Sequence, residues 1–384
     1  MTPGSARFAA ASSEHPLPSH AIGEVIGQVI DEVGPGPDLA VLFVTAPHTG
    51  VIDELVLAVN ELLVPTHLVG ASAVSVLAGP QEHEEVAAVS LWAGRVGPVE
   101  PVRLESVDSP DGTAVVGMPE EATDATTMLL LADPFSFPTD QFLDALQTQY
   151  PGLAAIGGLA SAARGPGGNR LIIDGEVHDR GAVGVLFGAS TSVDVVVSQG
   201  CRPIGEPLVV TRAERNVIYE LGGQPALDRL QHLIDHATEG QRNLMARGLH
   251  IGLVVDEQQE SFDRGDFLIR AVLGADRSVG AVAVGDQPPV GSVVQFQVRD
   301  ADTADEDLRV LLGGRAAGGA LVFTCNGRGQ HLFGEPHHDA EIVHRSAGDA
   351  TAGMFCAGEI GPIGTRNAMH GFTASVLLFD PADD

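Results

Sequence analysis

Cys325, Asn326 and Arg328 follow directly on an apolar run, Gly319-Ala-Leu-Val-Phe-Thr, and Glu359 follows a second one, Gly353-Met-Phe-Cys-Ala-Gly. A guanidinium holds a carboxylate or phosphate through two parallel hydrogen bonds. A carboxylate accepts from an amine, and an ionised thiol is a nucleophile. This is the chemistry of a small anionic or zwitterionic ligand, or of covalent catalysis through Cys325 with Glu359 as acid or base. Arg328 and Glu359 can equally form a structural ion pair. Cys325 with His370 reads as a thiol–base pair or, following the habit of free cysteine, as a small buried apolar side chain, and the second reading is favoured.

These residues sit on a phrase that the chain speaks three times. Its first copy is Asp38-Leu-Ala-Val-Leu-Phe-Val-Thr, a helical run Val51 to Leu63, His67-Leu-Val-Gly-Ala-Ser and Val86-Ala-Ala-Val-Ser-Leu-Trp. The second is Thr127-Met-Leu-Leu-Leu-Ala-Asp-Pro, a run Thr139 to Gln149, Leu153-Ala-Ala-Ile-Gly-Gly-Leu and Gly181-Ala-Val-Gly-Val-Leu-Phe. The third is Gly319 to Arg328, a run His338 to Ser346, Gly353-Met-Phe-Cys-Ala-Gly-Glu and Ala374-Ser-Val-Leu-Leu-Phe. Short apolar runs alternating with amphipathic ones predict α/β units of strand, helix, strand and hairpin, in mixed sheets.

Each copy sets a polar elbow after its first strand and a glycine turn after its second, where open α/β sheets bind ligands. Gly157, Ser161 and Gly358 belong to those turns. Asn169 and Arg170 lie on a glycine-rich hairpin that reads either as a cover over a pocket or as an ordinary long loop. Neither GxGxxG nor GxxxxGK[ST] occurs, so no nucleotide fold is indicated. His331, His337, His338 and His344 match no ligand template, and no metal site is expected.

The 384 residues carry a net charge of −30, and all 21 basic residues are Arg. Such a field repels nucleic acid. The absence of Lys excludes Schiff-base and P-loop lysine chemistry. Cys201, Cys325 and Cys356 are few and scattered, which fits a reducing, cytoplasmic setting. No apolar run is long enough for a membrane helix. Residues 1–16 read as a flexible tail. A β-rich texture from Ser192 to Arg299 separates the third copy from the first two, as an insertion would.

Phe323-Thr-Cys-Asn-Gly-Arg-Gly, Phe355-Cys-Ala-Gly-Glu-Ile-Gly-Pro-Ile and His370-Gly-Phe-Thr-Ala-Ser-Val together resemble the C-terminal module of FIST proteins. Ile156-Gly-Gly-Leu-Ala-Ser and Gly200-Cys-Arg-Pro-Ile-Gly-Glu-Pro-Leu-Val-Val-Thr resemble the N-terminal FIST module and its junction with the second. The resemblance implies two related modules, 17–200 and 201–384. It also implies a sensory protein that binds small molecules such as amino acids and signals through a separate partner protein, since no output domain is fused here. Some relatives sense gases through haem, for which this sequence shows no Cys-Pro or CxxCH signature; the cofactor stays unassigned. A homo-oligomer is compatible with this reading. The residues expected to meet ligand are Arg328, Asn326, Cys325, Glu359, Gly358, Gly157, Ser161, Arg170 and His370.

Overall fold

Three stretches of chain lay down the same order of elements. The first has strand Leu39–Thr45, helix Ile52–Leu62, strand His67–Ala73, a hairpin of Val76–Ala78 and Gln81–His83, and strand Val89–Gly94. The second has Ala125–Ala132, helix Thr139–Gln149, Ala154–Leu159, a hairpin of Leu171–Ile173 and Glu176–His178, and Ala182–Gly188. The third has Gly319–Cys325, helix His338–Ala347, Thr351–Cys356, a hairpin of Glu359–Ile363 and Arg366–His370, and Thr373–Phe379. In each, the first two strands run parallel and the last runs antiparallel to the first. The computed structural model describes residues 6–109, 112–119, 124–259, 261–262 and 264–381.

The hairpins are exchanged in a cycle. Leu171–Ile173 of the second stretch pairs with His67–Ala73 of the first. Glu359–Ile363 of the third pairs with Ala154–Leu159 of the second. Val76–Ala78 of the first pairs with Thr351–Cys356 of the third. No stretch therefore completes its own sheet, and the three fold as one body. Side chains alternate across each strand, as a pleat requires. Val41, Phe43, Leu129, Leu131, Leu321 and Phe323 point to one shared core with Trp92 and Phe379. Leu42, Val44, Leu130 and Val322 point the other way, towards the helices. Trp92 is fully buried, stacks on Phe379 at 4.7 Å and donates its indole N–H to the Ala350 carbonyl at 3.1 Å. That bond satisfies the one polar atom a buried indole brings.

The expected flexible tail is a strand over most of its described length. Phe8–Ser13 pairs antiparallel with Val89–Gly94, and Phe8, 5% exposed, stacks on Trp92. Its apolar face is written mostly in alanine, too weak a hydrophobic signal to read in isolation. Residues 1–5 lie outside the described residues.

The expected division at residue 200 also differs from the structure. One compact unit contains the chain up to Val197, Leu308–Met369 and the chain from Thr373 onward. The other contains Ser198–Asp307 and His370–Phe372. The β-rich middle is thus an insertion, and the third stretch returns to the first two. Within the second unit the antiparallel order is Cys201–Glu214, Val293–Arg299, Leu249–Val254, Phe267–Asp276, Ala281–Val284 and Val217–Leu221. The last strand pairs back with Cys201–Glu214, closing a barrel without a free edge among these strands. Ile218, Ile251, Val294 and Phe296 fill it, with Ala226 and Leu230 of helix Ala226–His236. Helix Glu239–Arg247 starts at a capping box formed by Thr238 and Gln241. Among the described residues no helix is long and apolar enough to cross a membrane.

Candidate functional site

The elbow after Gly319–Cys325 leaves more buried side-chain atoms unpartnered than the first, where His48 Nε2 is one. In the first stretch, Thr45 both donates to the Ala88 carbonyl and accepts from the Ala88 N–H. In the second, buried Asp133 accepts from Ser136, from the Phe135 N–H and from Asn169. In the third, Arg328 is fully buried, and its Nε and Nη2 donate to Asp339 at 2.6 and 2.8 Å. Nη1 has no partner. Asp339, in the first turn of helix His338–Ala347, also accepts from Thr324 at 2.6 Å and bonds His338 at 3.0 Å. Burial opposes ionisation of both groups. The Arg328 guanidinium and these hydrogen bonds overcome it and hold Asp339 well below the usual carboxylate range, while Asp339 raises Arg328.

Arg328 therefore has a structural partner, but that partner is Asp339 and not Glu359. Glu359, also fully buried, accepts from the Thr373 N–H and hydroxyl through Oε2 at 3.1 and 2.8 Å. Its Oε1 is unpartnered. Burial pushes Glu359 up to about 8, against the pull of the Thr373 bonds, the Arg328 charge and the Cys325 thiol. At pH 7 this carboxyl carries a proton. Asn326 ties its N–H to the Cys356 carbonyl and leaves Oδ1 buried and unpartnered. One guanidinium donor, one amide acceptor and one carboxyl oxygen are thus left unsatisfied around a single elbow. A buried polar group without a partner costs about 1–3 kcal/mol.

Two further acids reach this elbow from the hairpin of the first stretch. Glu82 caps helix His338–Ala347 through the Ala340 N–H at 3.0 Å, and its Oε2 is unpartnered. Burial and the nearby Asp339 charge push Glu82 up to about 8. Glu84 accepts from the Gln330 N–H and packs where a Cβ on Gly329 would stand 2.6 Å from it. Gly329, at φ +60°, is the only residue type that suits that position without strain. The segment that follows closes the site: Phe333 lies over the Arg328 guanidinium at 5.2 Å and stacks on His338 at 3.4 Å.

Other expected contacts serve the scaffold. Ser161 donates to the Phe355 carbonyl and accepts from the Val74 N–H. Arg170 donates to carbonyls of its own loop, Gly167 and Asn169, while Ser72 accepts its N–H. Gly358 accepts from the Leu159 N–H, and Gly157 lets strands close, since a Cβ there would meet the Leu130 oxygen at 2.0 Å. His370 belongs to the second compact unit. Cys356 faces the shared core, with its thiol pushed up by burial. The four clustered histidines turn to separate partners: His331 to Glu85, His337 to the Glu82 N–H, His338 to Asp339 and His344 to Asp349. Among the described residues no group of His, Cys, Asp and Glu is spaced to hold a metal ion. Asp339 and Glu82 are the members the sequence reading missed.

Gly158 lies opposite Glu359 in the ladder, and a Cβ there would stand 2.3 Å from the Cys356 sulfur. Gly158→Ala is expected to destabilise the protein by about 1–3 kcal/mol, as overpacking does. A urea midpoint equal to wild type would show that the strands yield more easily than this geometry implies.

With this geometry in place, comparison with known proteins is informative. The FIST N domain matches residues 38–224 and the FIST C domain residues 226–362, so the chain belongs to the FIST family. Uncharacterized protein Rv0628c of Mycobacterium tuberculosis is 42% identical over 381 residues, covering 97% of this chain and 99% of that protein. Uncharacterized protein Mb0898c of Mycobacterium bovis is 43% identical over 365 residues, covering 93% and 94%. FIST domains are associated with signal transduction.

Proposed function

We propose that the chain is a cytoplasmic small-molecule sensor whose ligand sits at the third elbow. The observation that carries the reading is the trio of unpartnered buried atoms: Arg328 Nη1, Asn326 Oδ1 and Glu359 Oε1. A carboxylate of the ligand accepts from Nη1, and an amine or amide of the ligand donates to Asn326. The protonated Glu359 donates or accepts as the ligand requires. Asp339 holds Arg328 in place. An amino acid or a similarly small polar acid meets these demands. Because Phe333 covers Arg328, binding needs the segment Gln330–His337 to move, and that movement is the signal a separate partner protein reads. The common strand plan of the three stretches supports an internal threefold repeat.

Cys325 as a catalytic nucleophile is the weaker reading. Its thiol bonds a carboxyl that is itself protonated at neutral pH, which is no base for making a thiolate.

Calorimetric titration with the twenty amino acids and short dicarboxylic acids tests the proposal. Wild type is expected to bind at least one compound. Glu359→Gln, which keeps the Thr373 bonds, is expected to bind it about two- to tenfold more weakly, in line with a lost hydrogen bond of a neutral group worth roughly 0.5–1.5 kcal/mol. Equal affinity in wild type and variant would remove Glu359 from the site.

A further inference from the structure

A second constellation lies apart from the Arg328 elbow and is independent of the sensor reading. Ser12 is the last residue but one of the strand Phe8–Ser13, on the same side of the pleat as Phe8 and Ala10. That side meets the hairpin strand Gln81–His83 of another sheet. Successive residues there face opposite ways: Glu82 turns to helix His338–Ala347, and His83 turns to Ser12. The Ser12 hydroxyl stands 2.7 Å from His83 Nε2, and Glu14 Oε1 stands 2.6 Å from His83 Nδ1. The imidazole is buried, with 8% of its side chain exposed, while Ser12 is half-buried and Glu14 open to solvent.

We propose that Ser12, His83 and Glu14 form a serine-hydrolase triad acting on uncharged carboxylic esters. The order of atoms is the one such chemistry needs: hydroxyl to Nε2, and Nδ1 to carboxylate. The Glu14 carboxylate keeps the ring proton on Nδ1, so Nε2 is free to accept from the Ser12 hydroxyl. Ser12 Oγ adds to the acyl carbon as its proton passes to His83. The bond to the alcohol oxygen breaks, that oxygen takes the proton from His83, and acyl-Ser12 remains. Water then adds to the acyl group, giving a proton to His83, and the acid departs as the Ser12 oxygen regains it. Ester and water have become acid and alcohol.

Among the described residues Phe8–Ser13 is an edge strand, with Val89–Gly94 as its ladder partner. Its outward backbone N–H groups are of the kind that stabilise an oxyanion. Glu14 and Glu24, the latter on Ser13, set a negative field around the serine, in a chain of net charge −30. Anionic acyl and phosphate esters are repelled, which leaves neutral esters as substrates.

The test is covalent labelling of the intact protein with a fluorophosphonate probe, with peptide mass spectrometry to place the label. Wild type is expected to carry the phosphonate on Ser12, and Ser12→Ala to carry none. His83→Gln is expected to label about 100-fold or more slowly, the usual worth of a general base. Glu14 acts through His83 as a positioning residue, so Glu14→Gln should shift the pH profile of labelling as well as slow it. Ser12→Ala removes one half-buried oxygen and keeps the fold, so it decides the matter even if His83→Gln unfolds. Wild type left unlabelled, or Ser12→Ala labelled as fast as wild type, overturns the proposal.

Discussion

Asp339→Ala is expected to lower the unfolding free energy by about 3–5 kcal/mol, the usual cost of leaving one member of a buried ion pair alone. Arg328 has no solvent exposure, and Asp339 is its bidentate partner. Losing the carboxylate strands a guanidinium in the interior and also frees the Thr324 hydroxyl from its acceptor. The loss falls on the ends of two elements, strand Gly319–Cys325 and helix His338–Ala347, so packing at the elbow should loosen. Urea unfolding followed by far-ultraviolet circular dichroism measures this. The double variant Arg328→Met/Asp339→Leu separates charge from packing. It removes both ions and should recover much of the loss, since replacing a buried pair with apolar groups is often neutral. A single variant as stable as wild type would mean the pair is far wetter than its burial shows.

Stability is expected to fall as pH rises from about 4.5 to 8. Glu359 and Glu82 are each pushed up from 4.5 to about 8 in the folded protein. Over that interval the folded state keeps protons that the unfolded chain has released. A raised folded-state value stabilises fully below the unfolded value, and the benefit is lost towards the folded one. Each group held in this way contributes a slope of about 1 kcal/mol per pH unit. Asp339 works in the opposite direction. Its depressed value stabilises above the usual aspartate range, and that benefit disappears in acid. Urea midpoints measured from pH 5 to 8 should therefore decline in wild type and decline less steeply in Glu359→Gln. Parallel profiles for the two proteins would show that Glu359 is ionised in the fold.

The strand–helix–strand stretches were legible because each is an apolar run of strand length beside a run with helical spacing. The insertion was legible as a change of texture near Ser192. The exchange of hairpins was not, because Val76–Ala78 looks the same whichever sheet it joins; only tertiary packing sends it to Thr351–Cys356. Phe8–Ser13 escaped because alanine alternation carries little hydrophobic contrast.

At the site, Arg328, Asn326 and Glu359 were visible as polar residues at strand ends. Their partners were less so. Asp339 could have been found as an acid in the first turn of the helix after Arg328, where the helix dipole favours one. Glu82 could not, since it reaches the elbow on a hairpin from a distant part of the sequence. Ser161 and Arg170 look like ligand contacts in a sequence because glycine turns that hold backbones and those that hold ligands use the same residues.

Native mass spectrometry of the protein purified from its own cells tests the sensor reading most directly. The account predicts an added mass of a small polar molecule on wild type, retained under gentle conditions and partly lost from Glu359→Gln. A wild-type chain at its bare sequence mass, or an adduct held equally by the variant, would contradict it.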